Sequence, residues 1–391
     1  MSESAAVAIV GGGVIGASIA YHLAVRGVRD IVILDRSATA GAGSTGKATG
    51  GFRAQFATPI NVRLSLLARK NLLRFEEDTG VDPGFSQVGY LWLASNESQM
   101  QALRTAQRMQ NAEGLHEATE LALADVQSVN SAISMDGIVG AAFCPTDGYI
   151  RPLEILRGYL QAAERLGVTV RWGTTCNSMQ VDGNGRVTGV ITDAGRIDVD
   201  TVVNAAGPWA ARIAAMAGVS LLVSPLKRQV AITEPCPAIP STMPMTIFID
   251  TGFHIRARDG RAMVCWPDPV PPGEPADLRA DLHADPEWID AVTAMAHARV
   301  PALRGCPVDR TLCYAGLYEV SPDEHAIVGL SPNCENMYFA NGSSGHGVMH
   351  SPALGAIVAD MIIGREPGID VSILRPSRFD EGNAIASVEL I

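Results

Sequence analysis

The stretch that most constrains the fold is residues 6–36, AVAIVGGGVIGASIAYHLAVRGVRDIVILDR. Ala6 to Val10 is a short apolar run of the kind buried in a parallel sheet. It breaks into Gly11, Gly12 and Gly13, with Gly16 one helical turn later, and a helix is expected from Val14 to about Arg26. A second strand, Asp30 to Leu34, ends at Asp35. The pattern is G-x-G-x-x-G between a strand and a helix, and each glycine has a reason. Gly11 permits the tight turn, Gly13 lets backbone approach a pyrophosphate, and Gly16 lets helix and strand pack closely. The pyrophosphate then rests on the positive end of the helix dipole, and Asp35 takes the ribose hydroxyls. An acid at that position selects an unphosphorylated ribose, hence FAD or NAD over NADP.

Composition narrows the class further. A chain of 391 residues that is 47% apolar and 18% charged has room for one large or two medium globular domains. A net charge of -11 argues against nucleic-acid binding and against docking on anionic membranes. No apolar run approaches a membrane span, and the N-terminus lacks a basic leader, so a cytoplasmic protein is expected. Seven scattered cysteines without C-x-x-C suit a reducing compartment and argue against a disulfide framework, a zinc site or a dithiol centre. No His, Asp or Glu cluster has metal-ligand spacing, and no metal is expected.

Further along, residues 37–56 (SATAGAGSTGKATGGFRAQF) are small and glycine-rich, and their place after Asp35 suits a loop wrapping the cofactor. Helical spacing runs over residues 60–78, ending near Gly80. Residues 97–114 and 120–129 read as surface helices, the second capped by Thr119. Asp147-Gly148 is a turn before a helix from Pro152 to about Leu166, and Val181 to Gly185 turns a hairpin. Thr201 to Trp209 is a buried strand ending in small residues, over which a ligand can lie. Lys227 to Cys265 alternates as antiparallel strands do. Residues 267–280 read as loop, with a helix from Pro286 to Ala298. Met337 to Ala340 is a strand entering Asn341-Gly-Ser-Ser-Gly-His-Gly347, and Ser351 to Ile363 is helical. A strand, glycine-rich loop and helix thus recur at the C-terminus, and the partial positive charge of that helix end would favour a reduced, anionic flavin.

Taken together, GGGVIG, GAGSTG with GGFRAQF, DGYIRP, VVNAAGPW, YAGLYEVSPDEHAIVG and NGSSGHGVMHSPALG resemble, in order and over nearly the full length, the D-amino acid oxidase and sarcosine oxidase superfamily. Sarcosine oxidase β-subunit-like and proline dehydrogenase β-subunit-like proteins are the most similar branch. The resemblance implies an α/β plus α+β architecture. A glutathione-reductase-like, Rossmann-type FAD domain (1–80, 145–220 and 320–391) would join a mixed-sheet substrate domain (81–144 and 221–319), both discontinuous. It implies FAD contacts from Gly11, Gly13, Val14, Ile15, Gly16, Asp35 and Arg36. Gly43, Ser44, Thr45, Ala206, Gly207, Trp209, Gly345, His346, Gly347, Val348 and Met349 would complete them. Arg53 is placed to bind a substrate carboxylate bidentately, with Tyr318 near substrate and His346 near the flavin. His325 and His254 are expected to be buried structural residues.

Three departures qualify the resemblance. The cysteine that carries FAD in monomeric sarcosine oxidases is replaced by Gly316, with Cys313 three residues away, so noncovalent FAD and a packed Cys313 are expected. The lysine those enzymes place after S-G-H-G-x is Met349, which leaves carboxylate binding to Arg53 or another group. Near Arg151-Pro152-Leu153 the FMN-bearing histidine of heterotetrameric enzymes is missing, so a second flavin is not expected. The function implied is oxidation of the C–N bond of an amino acid or secondary N-methyl amino acid by hydride transfer to flavin N5, the imine then hydrolysing. The alternatives are an FAD-carrying subunit of a larger dehydrogenase and a 2-hydroxy acid dehydrogenase. O2 or an electron-transfer partner serves as oxidant, and homo- or hetero-oligomers are both compatible.

Overall fold

The computed structural model describes residues 3–267 and 283–386, so the loop expected at 267–280 lies, beyond Pro267, outside the described residues. The first sheet is built around Glu3–Val10, which pairs in parallel with Ile31–Leu34 on one side and Gly195–Asn204 on the other. Thr169–Arg171 extends it beyond Ile31–Leu34, and Met337–Asn341 lies parallel to Gly195–Asn204. Ile327–Leu330 closes that edge in antiparallel fashion. The hairpin strands Cys176–Val181 and Val187–Thr192 attach to the front half of Gly195–Asn204. Because Glu3–Val10 has a parallel neighbour on each side, the crevice at the carboxyl ends of these strands is where a ligand is expected to lie.

The helix Val14–Val25 is apolar on nearly every face and buried to match. It packs against Gly347–Ile362, where a Cβ on Gly355 would fall 2.0 Å from Ser18 Oγ. Ser18 instead donates to the carbonyl of Ser351 at 2.8 Å, so the two helices meet backbone to backbone.

The second sheet has eight strands in the order Tyr314–Val320, Ser224–Ile232, Arg261–Cys265, His254–Arg258, Met245–Phe248, Tyr90–Ala94, Gly140–Cys144 and Thr119–Leu121. Only the Met245–Phe248 and Tyr90–Ala94 pair runs parallel. A short ribbon, Gly51–Phe52 with Gly148–Tyr149, stands apart from both sheets. Among the described residues no helix is long and apolar enough to cross a membrane.

Three local expectations need correction. Thr119 caps no helix: it opens the strand Thr119–Leu121, and the helix that follows is Leu123–Val129. The helix expected over 60–78 is two, Pro59–Leu72 and Phe75–Thr79, and the second ends on Gly80 with φ of 77°. Cysteine pairing is the third. Cys236 and Cys306 are disulfide-bonded across a sequence separation of 70, and the other five cysteines are free and buried. The pairing follows from chain geometry, since Glu234 N–H donates to the Pro307 carbonyl at 2.7 Å and Thr233 bridges Val308.

Candidate active site

At the end of the first strand Gly11 takes φ of 113° and gives its N–H to the Leu34 carbonyl at 2.9 Å. A Cβ there would lie 2.3 Å from the Ala205 carbonyl oxygen, so only glycine lets the turn pass between the two parallel strands. Gly16 serves the same turn from the helix side: its Cβ would fall 2.0 Å from the Gly11 carbonyl oxygen. The Asp35 carboxylate accepts the Gly12 and Ser37 N–H groups, each at 2.8 Å, which fixes it beside the turn. Val14 N–H, at the helix N-terminus, donates to Thr45 Oγ1 at 3.1 Å and ties the fingerprint to the glycine-rich loop.

A continuous cavity of about 620 Å³ opens over this turn and reaches the second sheet. Its walls bring together Asp35, Arg36 and Trp209; Gly11, Gly13, Val14 and Ile15; Gly43, Ser44 and Thr45; Ala206 and Gly207; and Gly345 to Met349, with Arg53 and Tyr318. Gly16 alone of the anticipated residues does not line it, because its contribution is packing beneath Gly11. The Arg36 guanidinium lies 3.9 Å from the centre of the Trp209 ring, whose buried Nε1 has no hydrogen-bond partner. A helix N-terminus, glycine walls that no side chain fills, a fixed carboxylate and an unsatisfied indole N–H are what an adenine dinucleotide requires.

Arg53 is the buried cation of this cavity, 9% exposed. It follows the short strand Gly51–Phe52, and the next two N–H groups, of Ala54 and Gln55, donate to Asp147 at 2.9 and 3.4 Å. Asp147 is fully buried, and burial raises its carboxyl to about 7. The guanidinium stacks 4.1 Å from the centre of the Phe56 ring and 5.0 Å from that of Trp92. It donates to the Gln55 carbonyl at 3.1 Å and faces His346 Nε2 at 3.1 Å. Arginine cannot accept, so His346 Nε2 does, and its proton sits on Nδ1. Burial, Arg53 and His350 hold that imidazole neutral, well below its ordinary titration range. No carboxylate forms an ion pair with Arg53 among the described residues.

Tyr318 packs its ring against Gly345, where a Cβ would meet it at 2.4 Å. His254 also lines the cavity; its Nδ1–H donates to the Gly252 carbonyl at 2.9 Å, leaving the Nε2 lone pair free to accept. His325 is held by the Asp323 carbonyl and by Thr58 Oγ1. Gly316 abuts Lys47, whose Cβ would be 2.8 Å from an added methyl, while Cys313 lies in the core beneath the second sheet with its thiol on the Asp309 carbonyl. Among the described residues no group of His, Cys, Asp and Glu could hold a metal ion. Sequence reasoning missed Asp147, Trp92 and Glu319. The DGY turn carried a signal for Asp147, but nothing in the spacing shows that its carboxylate reaches back to the Arg53 segment.

Comparison with known proteins agrees with this geometry. The model of the DAO family, FAD dependent oxidoreductase, matches residues 6–361. The chain is 30% identical over 378 residues to 4-methylaminobutanoate oxidase (formaldehyde-forming) of Paenarthrobacter nicotinovorans, covering 95% of this chain and 45% of that protein. It therefore spans less than half the length of that relative. L-proline dehydrogenase from P. horikoshii superposes with a TM-score of 0.89 at 27% identity, covering 98% of this chain and 99% of its own. Glycine oxidase from Geobacillus kaustophilus gives 0.84 at 25% identity, covering 96% and 99%.

Proposed function

The chain belongs to the DAO family of FAD-dependent oxidoreductases, and we propose that it oxidises the C–N bond of an amino acid or N-methyl amino acid held by its carboxylate on Arg53. The observation that carries this reading is a buried guanidinium in the cavity wall that forms no ion pair with a carboxylate among the described residues, Asp147 being engaged by the Ala54 and Gln55 N–H groups. An unpaired buried charge is costly, and a ligand anion offsets that cost. The relatives act on substrates of this kind by their names: a methylaminobutanoate, proline and glycine.

FAD, when bound, would supply the two-electron acceptor. Gly11, Gly13, Val14 and Asp35 would hold its adenosine and pyrophosphate, and Gly345 to Met349 its ring system. The replacement of a tethering cysteine by Gly316 supports noncovalent attachment. What the chain itself does is bind, orient and dry the substrate. Arg53 fixes the carboxylate, and His346, neutral with Nε2 committed to Arg53, steers the guanidinium without adding a second charge. Tyr90, Met245 and Ile247 line a largely apolar wall that disfavours the ammonium form, so the substrate binds as the neutral amine, its proton left with bulk water.

Titration of the oxidised holoenzyme with unreactive carboxylic acids, read by the perturbed flavin spectrum, tests the role of Arg53. Acetate and propionate are expected to bind, and Arg53→Met to weaken them by about a hundredfold, the scale of a lost buried charge-assisted pair. Equal binding to both proteins would remove Arg53 from recognition.

A further inference from the structure

Arg228 lines the same cavity as Arg36, Arg53 and Arg212. Arg228 lies on the strand Ser224–Ile232, opposite Gly316, two residues from the pairing of Leu226 with Tyr318. Alternation along this strand sends its neighbours apart. Lys227 reaches the Asp285 carboxylate at 2.8 Å, whereas Arg228 faces the cavity. Arg258 lies 3.7 Å from Asp259, and Arg261 3.5 Å from Glu234 and 3.6 Å from Asp309, while the buried Arg256 is held by the Ala257 and Thr49 carbonyls and the Tyr149 ring and does not line the cavity. Arg228 has no ion-paired carboxylate among the described residues; its guanidinium gives one N–H to the Lys227 carbonyl at 3.2 Å and lies 6.0 Å from the centre of the Tyr318 ring. A half-buried arginine that faces the cavity without an ion-paired carboxylate among the described residues is available to a ligand anion.

Tyr318, whose ring centre is 6.0 Å from the Arg228 guanidinium, and His254 share the cavity with this cation. Both residues feel the charges of Arg53 and Arg228 together, and both line the cavity. His254 is pushed below its ordinary range by burial first and then by these two arginines, and its Nε2 is a neutral acceptor in the cavity wall. The wall around them, Tyr90, Met245, Ile247 and Trp266, is aromatic or aliphatic and brings no anion.

We propose that Arg228 binds a second carboxylate, so that the preferred substrates are amino acids or N-alkyl amino acids with an acidic side chain, one carboxylate on Arg53 and the other on Arg228. This rests on the reading of the cavity as an amino-acid site and goes further by naming the class. Monocarboxylates of the glycine type fill only half of the arrangement, and their smaller size leaves Arg228 without an anion.

The test is anaerobic reduction of the holoenzyme by N-methyl-DL-glutamate and by N-methyl-DL-glutamine, which share a shape and differ in one charge. The reduction rate over the dissociation constant is expected to favour the diacid about tenfold or more. In Arg228→Gln this ratio is expected to fall to about one, and in Arg228→Lys, which keeps the charge but loses the fork, to an intermediate value. A measurement without variants runs beside it: glutarate is expected to perturb the oxidised flavin spectrum at lower concentration than butyrate. A wild-type ratio near one, a ratio that survives Arg228→Gln, or equal binding of glutarate and butyrate overturns the proposal. Reduction by N-methyl monocarboxylates without advantage to the diacid sinks this inference alone, whereas a flavin that no amino acid reduces sinks the amino-acid reading with it.

Discussion

At the scale of single residues, the cavity is governed by charges held out of water. Arg53 and Arg228 are cations with no ion-paired carboxylate among the described residues, and Glu319 is the converse, a buried acid held near neutrality. Its Oε1 accepts only a long bond, 3.4 Å from Ser343 N–H, and its Oε2 has no partner. Burial raises the Glu319 carboxyl to about 7 against an ordinary value of 4.5. Between those two pH values the folded chain keeps a proton that the unfolded chain has lost, so this residue's share of stability is present at low pH and fades as pH rises through 7. His350 and His22, pushed down to about 3 and about 4 by burial, act in the opposite direction as pH falls below 6.5. Glu319→Gln isolates the acid. The stability of the variant relative to wild type, from denaturant unfolding of the holoprotein, is expected to improve steadily from about pH 5 to about pH 7, by at most about 1.4 kcal/mol per pH unit. A difference that does not change with pH would mean that Glu319 is ionised throughout. None of this is visible from spacing. Glu319 sits in a strand pattern like any other, and its burial arises only when Asn341 to Ser343 close over it.

At the scale of elements, the account depends on one turn between two strands. Gly11 was legible because its constraint is local: a strand, a glycine run and a helix within one stretch determine the geometry. The prediction is correspondingly sharp. Gly11→Ala would drive a methyl to 2.3 Å from the Ala205 carbonyl oxygen, and is expected to cost about 2 kcal/mol or more and to empty the protein of flavin. Gly27→Ala is the control: its φ of 91° is unfavourable, but nothing lies within 4 Å of the added methyl, so about 1 kcal/mol and full flavin content are expected. Flavin-to-protein absorbance and thermal midpoints of both variants decide it. Equal losses would mean that strain in the turn, and not the approach of the strands, sets the requirement. Arg53 and its brace were less legible. The resemblance located the arginine, but Asp147, which orients its backbone, is more than ninety residues further along the chain, and only the ribbon of Gly51–Phe52 with Gly148–Tyr149 joins them.

At the scale of the molecule, two sheets built from interleaved stretches of chain meet across one cavity, whose wall takes Arg228, His254 and Tyr318 from the second sheet. That sheet is also where the sequence was least informative. Alternation announces strands, but it does not say which face of Ser224–Ile232 turns inward, and Cys236 and Cys306 find each other only through strands that pair at long range. Thiol titration of the unfolded, unreduced protein is expected to find five of the seven cysteines, and reduction to lower stability by about 2–4 kcal/mol. Seven reactive thiols would show that the bridge does not form in solution. The central claim, that this cavity joins FAD to an amino acid bound through its carboxylate, is met most directly by anaerobic mixing of the holoenzyme with N-methyl amino acids and with the same amines lacking the carboxylate. Bleaching of the flavin by the acids and not by their decarboxylated partners is the predicted result. Bleaching by both alike, or by neither, would contradict the account.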